Sequence, residues 1–198
     1  MNEQIKKAVE ILNKGGIVVF PTDTAFGIGC RVDDAKTVER LFNLRKRPVT
    51  KAMPVLIDSI VMAERYVQPI DNEVKERLIA PYWPGALTIV LSALDNSVSD
   101  LVRGGGKTIG LRIPNHPIAL DLIREVGVGL ATSSANFAGE PTPYSLEDVD
   151  KELLSFVDYL IPGECSLKQA STVIDCSVVP WKIVRKGTIL IDTTEEAL

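Results

Sequence analysis

The stretch VVFPTDTAFGIGC, residues 18–30, begins as a core strand and then stops behaving like one. Ile17 to Phe20 are apolar, Pro21 has no N–H to give a sheet, and Thr22, Asp23 and Thr24 stand where the strand ought to continue. An apolar run follows, broken by Gly27 and Gly29. Read locally, the three polar residues form a turn in which hydroxyls and carboxylate satisfy nearby backbone groups. The flanking sequence decides what kind of fold this strand belongs to.

Upstream, MNEQIKKAVEILNKGG places Ile5, Ala8, Val9 and Leu12 on one helical face and stops at Gly15-Gly16. Downstream, Asp33 or Asp34 caps a second helix carrying Ala35, Val38, Leu41 and Phe42. LRKRPVTK (44–51) is a charged loop, and MPVLI (53–57) a strand. Helical patterns occupy about 59–66 and 72–80, before Pro81 and Pro84 lead into the strand ALTIVLS (86–92). TIGLRI (108–113) and VGLATS (128–133) are strands on either side of the helix HPIALDLIREV (116–126). SANFAGEPTP (134–143) is a loop of small residues, and Ser145 caps a helix reaching Leu153. STVIDC (171–176) and KIVRKG (182–187) are late strands, and TTEEAL (193–198) an acidic, frayed tail. Helices and strands alternate without repeats or composition breaks, which indicates one α/β domain over residues 1–198 with a mixed sheet.

Composition narrows the setting. No apolar run is long enough to span a bilayer and the N-terminus is not a signal peptide, so a cytoplasmic protein without a membrane partner is expected. The three cysteines are odd in number and widely separated, which fits a reducing compartment and packing roles. With 22 basic against 26 acidic residues the net charge is −4, which disfavours general binding of a nucleic-acid backbone. A single histidine, His116, leaves little scope for a Ser-His-Asp triad, and no Cys or carboxylate cluster has zinc spacing. RGGGKT (103–108) ends like a P-loop, but the first glycine of that motif would fall on Leu101 and a strand follows instead of a helix.

The basic residues gather in loops. Arg45, Lys46, Arg47 and Lys51 surround Pro48, Arg112 lies between glycine and proline, and Arg185-Lys186 ends a strand. These loops alternate with hydroxyl-rich ones at Thr22–Thr24, Ser133–Asn136, Thr142 and Ser171-Thr172. Guanidinium supplies forked donors and hydroxyls add neutral ones, the combination a phosphate or carboxylate pocket needs.

Six segments then become specific: GGIVVFPTDTAFGIGC, LFNLRKRPVTKAMPVLI, YWPGALTIVL, IGLRIPNHPIA, SSANFAGEPTP and STVID. In order and spacing, the chain resembles the YrdC/TsaC family, the threonylcarbamoyl-AMP synthases. The resemblance implies a YrdC-like α/β fold, with a twisted mixed sheet and flanking helices around a deep positively charged cavity. It implies that L-threonine and bicarbonate or CO2 form a carbamate, which attacks the α-phosphate of ATP to give threonylcarbamoyl-adenylate and pyrophosphate. Mg2+ would enter on the ATP phosphates, with no protein ligand. The product would serve the downstream tRNA-modifying threonylcarbamoyl transferase machinery, with at most a weak tRNA contact.

Carried over by position, the resemblance assigns Thr24, Arg112, Thr132 and Ser171 to L-threonine. It assigns Arg47, Lys51, Thr108, Ser134, Thr142 and Arg185 to ATP. Arg45 and Arg47 match the family's KxR motif, and Ser134 and Asn136 its SxN motif. No residue is required to react: the substrate carbamate is the nucleophile, and catalysis is positioning and electrostatics. Gly27 and Gly29 would let the backbone pass close to a ligand. Arg45 departs from the family's usual lysine, so Arg45→Lys is expected to be tolerated, and it brings the chain closer to YciO-type paralogues of altered or absent synthase activity. Retention of Arg47, Ser134 and Asn136 favours an active synthase. A rival of another class, an RNA-binding module, is disfavoured by the acidic balance and the few aromatics.

Overall fold

A computed structural model describes residues 2–191; the TTEEAL segment lies outside the described residues. The first helix, α1 (Glu3–Asn13), starts where the Asn2 side chain accepts a hydrogen bond from Gln4 N, and it buries Ile5, Ala8 and Leu12 as its spacing predicts. Strand β1 (Val18–Pro21) then turns directly into β2 (Phe26–Arg31), paired antiparallel from Val18 with Gly29 to Pro21 with Phe26. Pro21 is therefore the last strand residue, and Thr22–Ala25 is a hairpin turn in which Thr22 N donates to Ala25 O at 3.2 Å. Phe26–Arg31 is a strand that its glycines disguise in the sequence.

Asp34, the second of the two candidate caps, accepts from Thr37 N and starts α2 (Ala35–Leu44). There follow β3 (Val55–Leu56), shorter than the apolar run MPVLI suggests, and α3 (Ile60–Ala63), capped by Ser59. The next helical pattern runs past Pro81: α4 (Asn72–Val74) continues through a π-helical turn, Lys75–Ile79, into α5 (Ala80–Tyr82). Pro81 has no N–H and its ring crowds the carbonyl four residues back, a conflict that the wider turn relieves.

The remaining elements are β4 (Leu87–Ser92), α6 (Asp100–Arg103), β5 (Thr108–Arg112), α7 (Pro117–Val126) and β6 (Leu130–Ser134). They are followed by α8 (Lys151–Ser155), β7 (Tyr159–Leu160), β8 (Thr172–Asp175) and β9 (Lys182–Arg185). Ser145 does not cap a helix: Asp148 accepts from Ser145 N and tightens a turn, and Asp150 caps α8 through Glu152 N and Leu153 N. No helix among the described residues is long and apolar enough to cross a membrane.

The strands form one mixed sheet in the order β7-β1-β2-β6-β3-β5-β4-β8-β9. β1/β7, β3/β5 and β4/β8 are parallel pairs and the rest antiparallel. One continuous core joins α1, α2 and α7 to the sheet through side chains such as Leu12, Phe20, Leu41 and Leu122. Burial of that apolar surface drives folding and leaves the opposite, concave side of the sheet free for polar groups.

Candidate active site

In sheet order, Gly27 of β2, Thr132 of β6, Leu56 of β3, Arg112 of β5, Thr88 of β4 and Arg185 of β9 all face one concavity of about 170 Å³. Its two ends meet because the sheet curls. β2 and β5 have two strands between them, roughly 14 Å on a flat sheet. Yet Arg112 Nη1 donates to Thr24 Oγ1 at 2.8 Å and Nη2 pairs with the Asp23 carboxylate. The hairpin turn thus folds over the sheet and closes one side of the cavity.

Three of the lining side chains carry guanidinium groups, and each is held by fixed acceptors. Arg112 donates from Nε to Gly85 O at 2.9 Å. Arg47 donates from Nε to Lys51 O at 3.1 Å and from Nη2 to Ala52 O, which aims it across its own loop. Arg185 donates from Nε to Ser171 O at 3.0 Å and from Nη2 to Ser171 Oγ at 2.8 Å. Burial lowers all three below the usual arginine range; for Arg112 the field of Asp23 opposes that shift. A partly desolvated cation gains most from an anion brought beside it.

Of the residues expected to contact threonine, Thr24, Arg112, Thr132 and Ser171 all line the cavity. From the nucleotide set, Arg47, Ser134, Thr142 and Arg185 line it as well. Lys51 does not: its side chain is exposed and its carbonyl serves as an anchor for Arg47. Thr108 does not either, because it pairs with Ser92 at the far end of β5. That position is four residues from Arg112, about 13 Å along a strand.

Arg45 and Asn136 meet each other behind the wall. Arg45, 3% exposed, donates from Nε to Asn136 O at 2.9 Å and from Nη2 to Asn136 Oδ1 at 3.1 Å. Asn136 Nδ2 continues the link to Glu140 O at 2.6 Å. The two motifs are therefore joined to each other, with Arg47 and Ser134 on the cavity side and Arg45 and Asn136 bracing them. Burial, then the nearby Arg47 charge, pushes Arg45 down to about 10.

The glycine expectation divides. Gly27 lines the cavity. Both glycines make room for Thr132 of the neighbouring strand, since a Cβ at Gly27 would sit 2.9 Å from Thr132 Cγ2 and one at Gly29 2.6 Å from Thr132 Oγ1, and Gly29 does not line the cavity. Sequence reasoning overlooked Thr88, and it named Ser133 in a hydroxyl-rich loop and Asp23 in a turn without giving either a role. Thr88 Oγ1 lies 3.0 Å from Ser171 Oγ, and a lone threonine in the apolar run LTIVL was its only signal. Ser133 Oγ is buried at the cavity without a partner. No three His, Cys, Asp or Glu side chains cluster as metal ligands among the described residues. Cys30 is a packing residue, its thiol pushed up to about 12 by burial.

The Sua5/YciO/YrdC family model, described as "Telomere recombination", matches residues 10–187. The threonylcarbamoyl-AMP synthase of Bacillus subtilis is 32% identical over 199 residues, covering 98% of this chain and 56% of its own length. A crystal structure of P. abyssi Sua5 complexed with L-threonine superposes with a TM-score of 0.88 at 34% identity, over 92% of this chain and 54% of that one. E. coli YciO superposes with a TM-score of 0.86 at 28% identity, over 96% of this chain and 92% of its own. The chain thus spans a little over half the length of the B. subtilis synthase and of P. abyssi Sua5.

Proposed function

The chain belongs to the Sua5/YciO/YrdC family, and on that premise we propose that it is a threonylcarbamoyl-AMP synthase. Its substrates are L-threonine, bicarbonate or CO2, and ATP. The observation that carries the reading is the convergence of Arg47, Arg112 and Arg185 with Thr24, Ser134 and Ser171 on one concavity. A site for joining two anions needs donors on several sides and no nucleophile of its own, and this one has that composition.

In the reaction a carbamate oxygen of N-carboxythreonine forms a bond to the α-phosphorus. The bond from that phosphorus to the bridging oxygen breaks, and pyrophosphate leaves with the electron pair. Two unit charges 4 Å apart repel by about 4 kcal/mol at an effective dielectric near 20. Arg47 and Arg185 offset that repulsion on the phosphate side, and Arg112 holds the amino acid. Ser134 and Thr142 add neutral donors. The cavity is smaller than the roughly 300–1,000 Å³ usual for ligand sites, so its walls hold the reacting groups and the rest of the nucleotide extends through the mouth. Lys51 and Thr108, off the wall, are left to meet that outer part.

The hydroxyl and guanidinium donors suit phosphate oxygens, not a cation, so Mg2+ is held through the ATP phosphates, where it screens their charge. The product passes to a tRNA-modifying threonylcarbamoyl transferase, and the reaction belongs in the cytoplasm. The test is pyrophosphate release with ATP, magnesium and bicarbonate. Release that requires L-threonine supports the reading, while threonine-independent release or none overturns it.

A further inference from the structure

We propose that Asp23 is a positioning residue, whose carboxylate fixes the Arg112 guanidinium and through it Thr24 in the orientation that receives the amino acid. This role rests on the synthase reading. Asp23 does not line the cavity and is only 2% exposed, yet it forms the ion pair to Arg112. Its backbone is held from behind, where Leu167 N donates to Asp23 O at 2.8 Å, so the carboxylate has little freedom to move. Oδ1 takes the Arg112 contact and Oδ2 has no partner.

Arginine has five N–H donors. In Arg112 three are committed, to Gly85 O, Thr24 Oγ1 and Asp23 Oδ1, which leaves one hydrogen on each terminal nitrogen. Those two remain for an incoming anion. Asp23, by holding Nη2, sets which way they point. A neutral side chain there would leave a buried guanidinium, 6% exposed, free to turn toward any incoming anion.

The hydroxyls around that guanidinium are held as well. Thr22 Oγ1 donates to Ala25 O at 2.6 Å and accepts from Thr24 N and Ala25 N, each at 3.2 Å, which engages its hydrogen and both lone pairs. It lies 3.1 Å from Thr24 Oγ1 and backs that hydroxyl. Thr24 Oγ1 accepts from Arg112, which leaves a lone pair for a ligand. Across the cavity, Ser171 Oγ accepts from Arg185 and shares one contact with Thr88, so one hydroxyl hydrogen of that pair stays free. The cavity thus presents an acceptor beside Arg112 and a free hydroxyl hydrogen at the Arg185 end. An amino acid fits that order, with its carboxylate on Arg112 and an N–H or O–H on Thr24.

The experiment compares wild type with Asp23→Asn, Asp23→Glu and Thr22→Val by L-threonine calorimetry and by steady-state pyrophosphate release, after thermal unfolding has shown which variants fold. Loss of one charge-assisted contact is expected to weaken threonine binding and raise its KM by about tenfold or more in Asp23→Asn, with the KM for ATP within twofold. Asp23→Glu should recover part of the loss, and Thr22→Val should weaken threonine alone. Unchanged threonine binding in folded Asp23→Asn, or equal loss for both substrates, overturns the proposal. If Asp23→Asn does not fold, unchanged threonine binding in Asp23→Glu and Thr22→Val overturns it equally. Wild type that neither binds threonine nor releases pyrophosphate overturns the synthase reading itself, and the proposal with it.

Discussion

Replacing Arg45 by lysine installs the residue that the resemblance implies for this position, and the structure shows what the exchange costs. The Arg45 guanidinium reaches two acceptors of one residue, Asn136 O at 2.9 Å and Asn136 Oδ1 at 3.1 Å, while itself 3% exposed. An ammonium is a point donor, more strongly hydrated, and keeps one of those contacts. Losing one hydrogen bond to a charged group costs about 1.5–3 kcal/mol. In a domain of this size each kcal/mol moves Tm by roughly 2–4 °C, so Arg45→Lys should unfold some 3–12 °C lower. Because Arg45 does not line the cavity, threonine-dependent pyrophosphate release at 25 °C should stay within threefold of wild type. Thermal unfolding by circular dichroism and a release assay on the same preparation read the two effects separately. An unchanged Tm would show that the fork contributes nothing. Activity lost at a wild-type Tm would show that Arg45 touches substrate, and the division into wall and brace would be wrong.

Three further outcomes are expected. Arg47→Ala removes a cavity cation anchored on two carbonyls and should cut turnover by on the order of 10–100-fold, chiefly through ATP; wild-type activity would take Arg47 out of the site. Thr24→Val removes the acceptor beside Arg112 and should weaken threonine binding by calorimetry more than ATP binding, whereas equal losses would contradict its placement. With its thiol pushed up to about 12 and fully buried, Cys30 should resist iodoacetamide at pH 8 in the native protein and react in urea; rapid native labelling by mass spectrometry would refute its burial.

How far residues alone could be read differs from element to element. Helices with a clean apolar stripe, α1, α2 and α7, appear where their spacing puts them, because burial of that stripe is what stabilises them. The strand Phe26–Arg31 escaped notice because glycine signals a break, whereas Gly29 is there to let Thr132 approach from the next strand. That contact is 103 residues away along the chain and leaves no local trace. Ser145 yielded to Asp150 as a cap for a similar reason, since several candidate oxygens compete and tertiary geometry chooses. Within the site, charged and hydroxyl residues beside loops announced themselves, but Thr88 was hidden by the apolar strand around it. Asp23 looked like ordinary turn chemistry until its partner on β5 came into view.

Strand β9 stands at the far edge of the sheet from the opening hairpin, yet Arg185 shares one concavity with Thr24. A chain emerging from the ribosome therefore has no complete binding site until residue 185 is out, however early the hairpin sets. Ligand affinity in this protein is a property of the finished sheet, and saturating substrate should protect the two outermost halves from proteolysis together rather than one before the other.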